Sequence, residues 1–128
     1  MRLRDHCVLI VEDEFYLAKD ARDTLRAEGA EIMGPYPGHD EAVAALAERR
    51  PDCAILDVNL GQGASFALAD ALRAQAVPFV FFTGYDREVI PPRFADVLRL
   101  EKPVDAPRLV SAAEDICACK PRSTSNLR

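Results

Sequence analysis

Charged and hydroxyl-bearing residues follow four short, largely apolar runs of this 128-residue sequence. The runs cover residues 7–11, 53–56, 79–82 and 98–101, and the residues that follow them are Glu12 with Asp13, Asp57, Thr83 and Lys102. If the runs are parallel strands, their ends lie at one edge of a sheet, where open α/β folds bind ligands. The sequence therefore predicts a site that brings together three carboxylates, a hydroxyl group and an ammonium group.

Asp57 is the expected nucleophile of this site. Several carboxylates at one edge raise one another's pKa unless a cation neutralises them. Mg²⁺ suits such a cluster because it takes oxygen ligands, typically from one or two carboxylates together with phosphate oxygens. We expect Asp13 and Asp57 to supply those carboxylates, so that a phosphoryl group can be transferred in line onto Asp57. The oxygens of that group need hydrogen-bond donors, which Thr83 and Lys102 can provide.

The elements that position these residues are predicted from five apolar runs that alternate with five amphipathic segments, a pattern typical of a doubly wound α/β domain. The uninterrupted apolar character of the central runs indicates strands covered on both faces. We predict a first helix from about Glu14 to Glu28 that ends at Gly29, an extended segment over 31–36, and a second helix capped by Asp40. A third helix is expected after the glycine-containing loop at 61–63.

The last third of the chain departs from the regular alternation. Pro91 and Pro92 interrupt the segment between the fourth and fifth strands, which predicts a short or irregular fourth helix. The final helix is expected to begin after Asp105 and to tolerate Pro107 in its first turn. Its apolar residues face the sheet in this prediction: Leu109, Val110, Ala113 and Ile116.

Length and charge limit the possible functions. The chain fits one domain, predicted at residues 1–119, followed by a flexible basic tail at 120–128. A net charge of -5 argues against general nucleic-acid binding. The longest apolar runs are too short for a membrane span or a signal peptide, so we expect a cytoplasmic protein.

The four cysteines do not match a zinc-binding pattern. Cys7 and Cys53 lie in predicted strands, and we interpret them as small apolar core residues. Cys117 and Cys119 are expected to be reduced and without a role, although redox activity or oligomer formation stays open for them.

Four motifs in this order and spacing resemble a receiver domain of the two-component response regulator family along nearly the whole chain. They are the acidic pair Glu12-Asp13, Leu56-Asp57-Val58-Asn59, Phe82-Thr83-Gly84 and Glu101-Lys102-Pro103. The resemblance implies a flavodoxin-like, five-stranded parallel sheet in the order 2-1-3-4-5. It also implies that Glu12, Asp13, Asp57 and the backbone carbonyl of Asn59 hold Mg²⁺, and that the peptide bond before Pro103 is cis.

The same resemblance implies that a histidine kinase or phosphotransfer protein phosphorylates Asp57, and that the chain catalyses only its own phosphorylation and dephosphorylation. Arg99 stands where receivers commonly carry an aromatic switch residue, three positions before Lys102. The segment over 81–85 resembles a subclass of stand-alone receivers with a Phe-x-Thr-Gly-Tyr motif, which includes Gly84 and Tyr85. We hypothesise that Tyr85 repacks on phosphorylation, and that Asn59 and Tyr85 tune hydrolysis of the acyl phosphate.

Three functions compete on the sequence alone. The leading one is a single-domain response regulator that acts as a protein-binding switch or as a phosphate sink, with a downstream protein partner in the first case. A phosphohydrolase with an aspartyl-phosphate intermediate is less favoured, because Asn59 stands where such enzymes usually carry a second acid. The third is a binding module that keeps the receiver fold without being phosphorylated.

Overall fold

The computed structural model describes residues 2–58, 64–84 and 90–118. In this part of the chain, five strands form one parallel sheet in the order β2-β1-β3-β4-β5. The strands are β1 (Cys7–Val11), β2 (Glu31–Tyr36), β3 (Cys53–Asp57), β4 (Phe79–Thr83) and β5 (Arg99–Glu101). This arrangement confirms the predicted fold class and strand order.

Four α-helices connect or follow the strands within the described residues. They are α1 (Phe15–Ala27), α2 (His39–Glu48), α3 (Ala64–Ala74) and α4 (Ala106–Ala118). A 3₁₀ helix over Pro92–Phe94 lies between β4 and β5. The proline pair thus leaves only a short helical turn in the described part of this connection, in line with the prediction of a short or irregular fourth helix.

The sheet separates two apolar cores, and strand residues alternate between them. In β1, Val8 and Ile10 belong to the core that contains α1 and α4 residues, while Cys7, Leu9 and Val11 belong to the core that contains α2 and α3 residues. Both sets are buried because helices cover both faces of the sheet. This double cover explains why the strand sequences are apolar throughout.

The helix ends largely follow their sequence signals. Glu14 caps α1, since its side chain accepts a hydrogen bond from the Leu17 backbone N–H at 2.8 Å. Gly29 follows this helix with a φ of 94°, a conformation that glycine adopts readily. The prediction that Asp40 caps α2 is wrong: Gly38 is the capping residue, and Asp40 lies within the first helical turn.

The cysteine interpretation requires a correction. Cys53 in β3 and Cys117 in α4 form a disulfide, with their Cα atoms 5.3 Å apart. The fold brings together two residues that are 64 positions apart in sequence, and no local pattern indicates such a pair. Cys7 is free and buried, in agreement with its predicted packing role.

The helices of the described segments are also short in relation to a bilayer. None of them combines the length and the apolar composition that a membrane crossing requires.

Candidate functional site

The carboxyl-terminal edge of the sheet carries the predicted site residues. Glu12 follows β1, and its backbone N–H donates to the Tyr36 carbonyl at 3.0 Å. Asp57 and Thr83 are the last residues of β3 and β4. Lys102 follows β5, and its backbone N–H donates to the Thr83 carbonyl at 2.7 Å. Parallel pairing therefore places all these residues at one edge, as the sequence predicts.

Lys102 joins two buried carboxylates. Its ammonium nitrogen lies 3.1 Å from Glu12 Oε1 and 3.1 Å from Asp57 Oδ1. Burial alone lowers the pKa of Lys102, but the adjacent Asp57 and Glu12 carboxylates outweigh this effect and raise it above its usual value. Lys102 is thus held as a cation between the β1 and β3 ends.

Glu12 occupies an electrostatically unfavourable position. The residue is only 3% exposed, and burial raises its pKa to about 7, with the neighbouring Asp57 carboxylate adding to the effect. The backbone N–H of Glu14 donates to Glu12 Oε2 at 3.1 Å, and this bond together with Lys102 partly offsets the rise. An additional nearby cation would stabilise the ionised form of this carboxyl group.

Asp13 completes an acidic cluster. One carboxylate oxygen from each of Glu12, Asp13 and Asp57 lies within 4.8 Å of the others. Asp13 is exposed as a residue, yet partial burial of its carboxyl group and then the proximity of Asp57 raise its pKa. With all groups ionised, three carboxylates face one Lys102 ammonium group, so the site carries excess negative charge. This donor set fits a hard divalent cation such as Mg²⁺.

Ser65 supports Asp57 and was not identified from the sequence. Its buried hydroxyl donates to the backbone carbonyl of Asp57 at 2.7 Å. This bond joins the start of α3 to the end of β3 across the connecting loop. The available signal was a small hydroxyl residue at the start of a helix that follows a glycine-containing loop, a common position for serine.

An exposed aromatic pair borders the acidic cluster and was also missed. Phe15 and Tyr16 begin α1, directly after the Glu12–Glu14 segment, and are 68% and 71% exposed. Their rings meet edge to face with centroids 5.2 Å apart. Large exposed apolar side chains next to polar functional groups commonly mark protein contacts.

The other predicted residues are placed as follows. The peptide bond between Lys102 and Pro103 is cis, as the resemblance implies. Arg99 is exposed on β5, and its Cα pairs with that of Phe81 in the sheet register. Among the described residues, a Cβ atom added at Gly84 would meet no heavy atom within 4 Å. Asn59 and Tyr85 lie outside the described residues, as does the predicted tail at 120–128.

Comparison with known proteins identifies the family of this chain. Residues 8–114 match the family model described as the response regulator receiver domain. The chain is 34% identical over 108 residues to sensory transduction protein LytT of Bacillus cereus, covering 80% of this chain and 44% of LytT. It is 31% identical over 111 residues to transcriptional regulatory protein PdtaR of Mycobacterium tuberculosis, covering 84% of this chain and 54% of PdtaR.

A solved structure shows the same architecture. The BeF3-activated conformation of SdrG from Pseudomonas melonis superposes with a TM-score of 0.73 at 36% identity, covering 86% of this chain and 95% of SdrG. The chain spans about half the length of the curated relatives that it matches.

The family gives the acidic edge a general context. Receiver domains bind Mg²⁺ in an acidic pocket, interact with histidine kinases or phosphotransfer proteins, and generally catalyse only their own phosphorylation and dephosphorylation. The parallel sheet, the acidic cluster with its lysine and the match over residues 8–114 agree with one another. This chain therefore belongs to the response regulator receiver domain family.

Proposed function

We propose that Asp57 accepts a phosphoryl group from a histidine kinase or a phosphotransfer protein, and that the chain thereby acts as a signalling switch or a phosphate sink. The observation that carries the proposal is the Asp57 carboxylate at the end of β3, which contacts the Lys102 ammonium group at 3.1 Å beside Glu12 and Asp13. A nucleophilic carboxylate next to a fixed cation is suited to attack phosphorus.

The acidic cluster fits a Mg²⁺ ion on chemical grounds. We assign Glu12, Asp13 and Asp57 as its carboxylate ligands or supports, with the Asn59 carbonyl as a further expected ligand. The excess negative charge and the raised pKa values of Glu12 and Asp13 favour a bound cation. When bound, Mg²⁺ supplies positive charge to the oxygens of the transferred group.

The described side chains divide the work of transfer. An Asp57 oxygen forms a bond to phosphorus while the bond from phosphorus to the donor imidazole nitrogen breaks. Lys102 and the Thr83 hydroxyl donate to the phosphoryl oxygens, and the Ser65 hydroxyl holds the Asp57 backbone through its carbonyl. These roles make positioning and charge neutralisation the main contributions to the rate.

The exposed Phe15–Tyr16 pair supports a protein phosphodonor. A donor histidine that reaches Asp57 has to approach across the edge that Phe15 and Tyr16 border. A Phe15→Ser/Tyr16→Ser variant should accept phosphate from acetyl phosphate at the wild-type rate, but at least 10-fold more slowly from its kinase. Equal loss with both donors would contradict a docking role for the pair.

The output route is proposed from the resemblance to receivers with a Phe-x-Thr-Gly-Tyr motif. In that proposal Tyr85 repacks when Asp57 is phosphorylated. Tyr85 then takes over the switching role of the aromatic residue that receivers commonly carry at the position of Arg99. A Tyr85→Ala variant should change the acyl-phosphate lifetime or the affinity for the kinase, and unchanged values of both would contradict the proposed role of Tyr85.

The acyl-phosphate half-life of the wild type distinguishes a sink from a switch, and a short half-life favours a sink. The cytoplasmic location stays a prediction.

The decisive experiment measures incorporation of phosphate from acetyl phosphate, and binding of beryllofluoride, with and without Mg²⁺. The wild type should be modified only with Mg²⁺, and Asp57→Asn should not be modified. Asp23→Asn is the matched control, because Asp23 is an exposed acid that pairs with Lys19 on α1, and it should behave like the wild type. Failure of the folded wild type to react would favour an unphosphorylated binding module. Sustained turnover of a small phosphoester that requires Asp57 would favour a hydrolase.

A further inference from the structure

Two cysteines lie close together at the opposite end of β3 from Asp57. Cys53 is the first residue of β3, and Cys117 is the penultimate residue of α4. Their Cα atoms are 5.3 Å apart, within the range that disulfides require. The exposed fractions of the two residues are 0% and 1%. We propose that Cys53 and Cys117 form a reversible redox site that is independent of phosphorylation at Asp57.

The surroundings of the pair allow the chain to fold in both redox states. Both cysteines belong to the apolar core between the sheet and α4, which also contains Val8, Ala113 and Leu25. Reduced thiols pack in such a core as small apolar groups. Oxidation therefore adds a covalent connection between β3 and α4 without requiring a different fold.

The two sulfur atoms differ in how they can be reached. Cys53 lies in a strand that is paired with β1 on one side and β4 on the other. Cys117 lies in the last turn of α4, and a helix end opens at a lower free-energy cost than a central strand. Cys117 is consequently the sulfur that meets reagents from solution, while Cys53 reacts only with Cys117.

This asymmetry defines the order of the chemical steps. With a low-molecular-weight disulfide such as oxidised glutathione as oxidant, the Cys117 thiolate attacks one sulfur, forms a mixed disulfide and releases one glutathione thiolate. The Cys53 thiolate then attacks Cys117 Sγ and releases the second glutathione thiolate. The two protons lost by the protein thiols are taken up by the two released thiolates. A dithiol reductant such as dithiothreitol attacks the protein disulfide through one thiolate and forms a mixed disulfide, and its second thiolate then releases the protein as the dithiol while the reductant becomes a cyclic disulfide.

The consequence is a change in how firmly α4 is held on the sheet. A crosslink between positions 64 residues apart restricts the unfolded chain strongly. The melting temperature of the oxidised protein should exceed that of the reduced protein by about 10 °C. The last turn of α4 should also exchange its amide hydrogens more slowly in the oxidised state.

The experiment uses the full chain with Cys119→Ser, which leaves Cys7, Cys53 and Cys117 as its cysteines. After exposure to oxidised glutathione, denaturation and alkylation, mass spectrometry should find one alkylated cysteine, Cys7, and a peptide pair joined through Cys53 and Cys117. After reduction, all three cysteines should be alkylated. Free Cys53 and Cys117 after oxidation, or equal melting temperatures in both states, would overturn the proposal.

Two further variants test the order of the steps. In Cys53→Ser, oxidation should stop at glutathione attached to Cys117, whereas in Cys117→Ser the buried Cys53 should stay unmodified. Glutathione on Cys53 in the second variant would overturn the assigned order. Repeating the oxidation in Asp57→Asn separates this proposal from the phosphoryl-acceptor function, because the disulfide should form there as in the parent chain.

Discussion

The acidic edge and the β4–β5 connection of this receiver domain are stabilised in opposite ways. The acidic edge, formed by Glu12, Asp13, Asp57 and Lys102, buries the carboxylates of Glu12 and Asp57 beside the exposed Asp13, and among the described residues Lys102 is the cation that contacts the buried pair. In the β4–β5 connection, Phe94 is fully buried, with its ring centroid 5.7 Å from that of Phe81. The first region raises the free energy of the folded state, and the second lowers it.

The connection also anchors itself to α3 through paired charges at its surface. Arg73 lies 2.7 Å from Asp96, and Arg93 lies 2.9 Å from Asp70. Both guanidinium groups also lie over the Phe94 ring, at 5.0 and 4.6 Å from its centroid. We infer that packing next to β4 and β5 compensates for the lower stability of the acidic edge. The clustered charges of that edge serve chemistry and reduce the free energy of unfolding.

The largest expected effect lies in the aromatic cluster. Phe94→Ala should lower the free energy of unfolding by about 4 kcal/mol, because it removes a fully buried ring and leaves a cavity beside Phe66, Phe79 and Phe81. Urea denaturation measures the loss. Phe15→Ala is the matched control and should change stability by less than about 0.5 kcal/mol, since Phe15 is largely exposed. Equal losses in the two variants would remove the assigned role of the cluster.

Removing the cation tests the acidic edge. Lys102→Met keeps an apolar stem of similar length but leaves Glu12 and Asp57 without their shared partner. We expect the free energy of unfolding to fall by about 2–3 kcal/mol at pH 8 without Mg²⁺. This value is below the range for fully buried ion pairs because the Lys102 side chain is partly exposed. The loss should be smaller at pH 6, where Glu12 can take up a proton.

Lys19→Met provides the control for that measurement. Lys19 pairs with Asp23 at 2.9 Å on the exposed surface of α1, where ion pairs contribute little. The Lys19→Met variant should lose less than about 0.5 kcal/mol of unfolding free energy at both pH values. Equal sensitivity of the two lysines would show that burial at the acidic edge has no special electrostatic consequence.

The raised pKa of Glu12 predicts a smaller effect with the opposite sign. Between pH 4.5 and about 7 the unfolded chain releases the Glu12 proton while the folded chain retains it, so this carboxyl group makes the fold less stable as pH rises. Glu12→Gln should therefore raise the free energy of unfolding by about 1–2 kcal/mol at pH 8 without Mg²⁺. At pH 5 the gain should nearly vanish.

Denaturation at both pH values in the presence of a chelator measures this difference. Glu48→Gln, at an exposed position of α2, is the control and should change the free energy of unfolding by less than about 0.5 kcal/mol at either pH. A gain that is equal at pH 5 and pH 8 would mean that packing, and not the charge of Glu12, causes it.

The sequence was sufficient to predict the sheet and the edge at which the candidate site residues lie, because apolar strands and the polar residues at their ends are visible as local sequence patterns. Once the apolar runs are parallel strands, the positions of Asp57, Thr83 and Lys102 follow from sheet geometry. Other features depend on contacts between distant segments. The Cys53–Cys117 disulfide needs α4 to pack on β3, and the bond from Ser65 to Asp57 needs the α3 start to return to the strand.

The one incorrect helix cap has a local explanation. Asp40 is a favourable capping residue, but α2 begins at His39 with Gly38 in the extended conformation that a cap requires. Asp40 still stabilises the helix from its first turn, where a negative charge interacts favourably with the helix dipole. Propensity therefore identified the right helix end but shifted it by two residues.

Arg73 on α3 and Arg99 on β5 test the contrast between the two regions through the smallest expected changes in stability. Arg73→Ala should lower the free energy of unfolding by about 1 kcal/mol, since it removes the pairing with Asp96 and the contact with the Phe94 ring. Arg99→Ala should change it by less than about 0.5 kcal/mol, because Arg99 is exposed at the edge of the sheet. Binding of the acetyl-phosphate-treated chain to the histidine kinase or phosphotransfer protein proposed above separates the two variants further. If Arg99 serves output, its variant should bind more weakly despite unchanged stability, whereas unchanged binding would assign Arg99 no part in signalling.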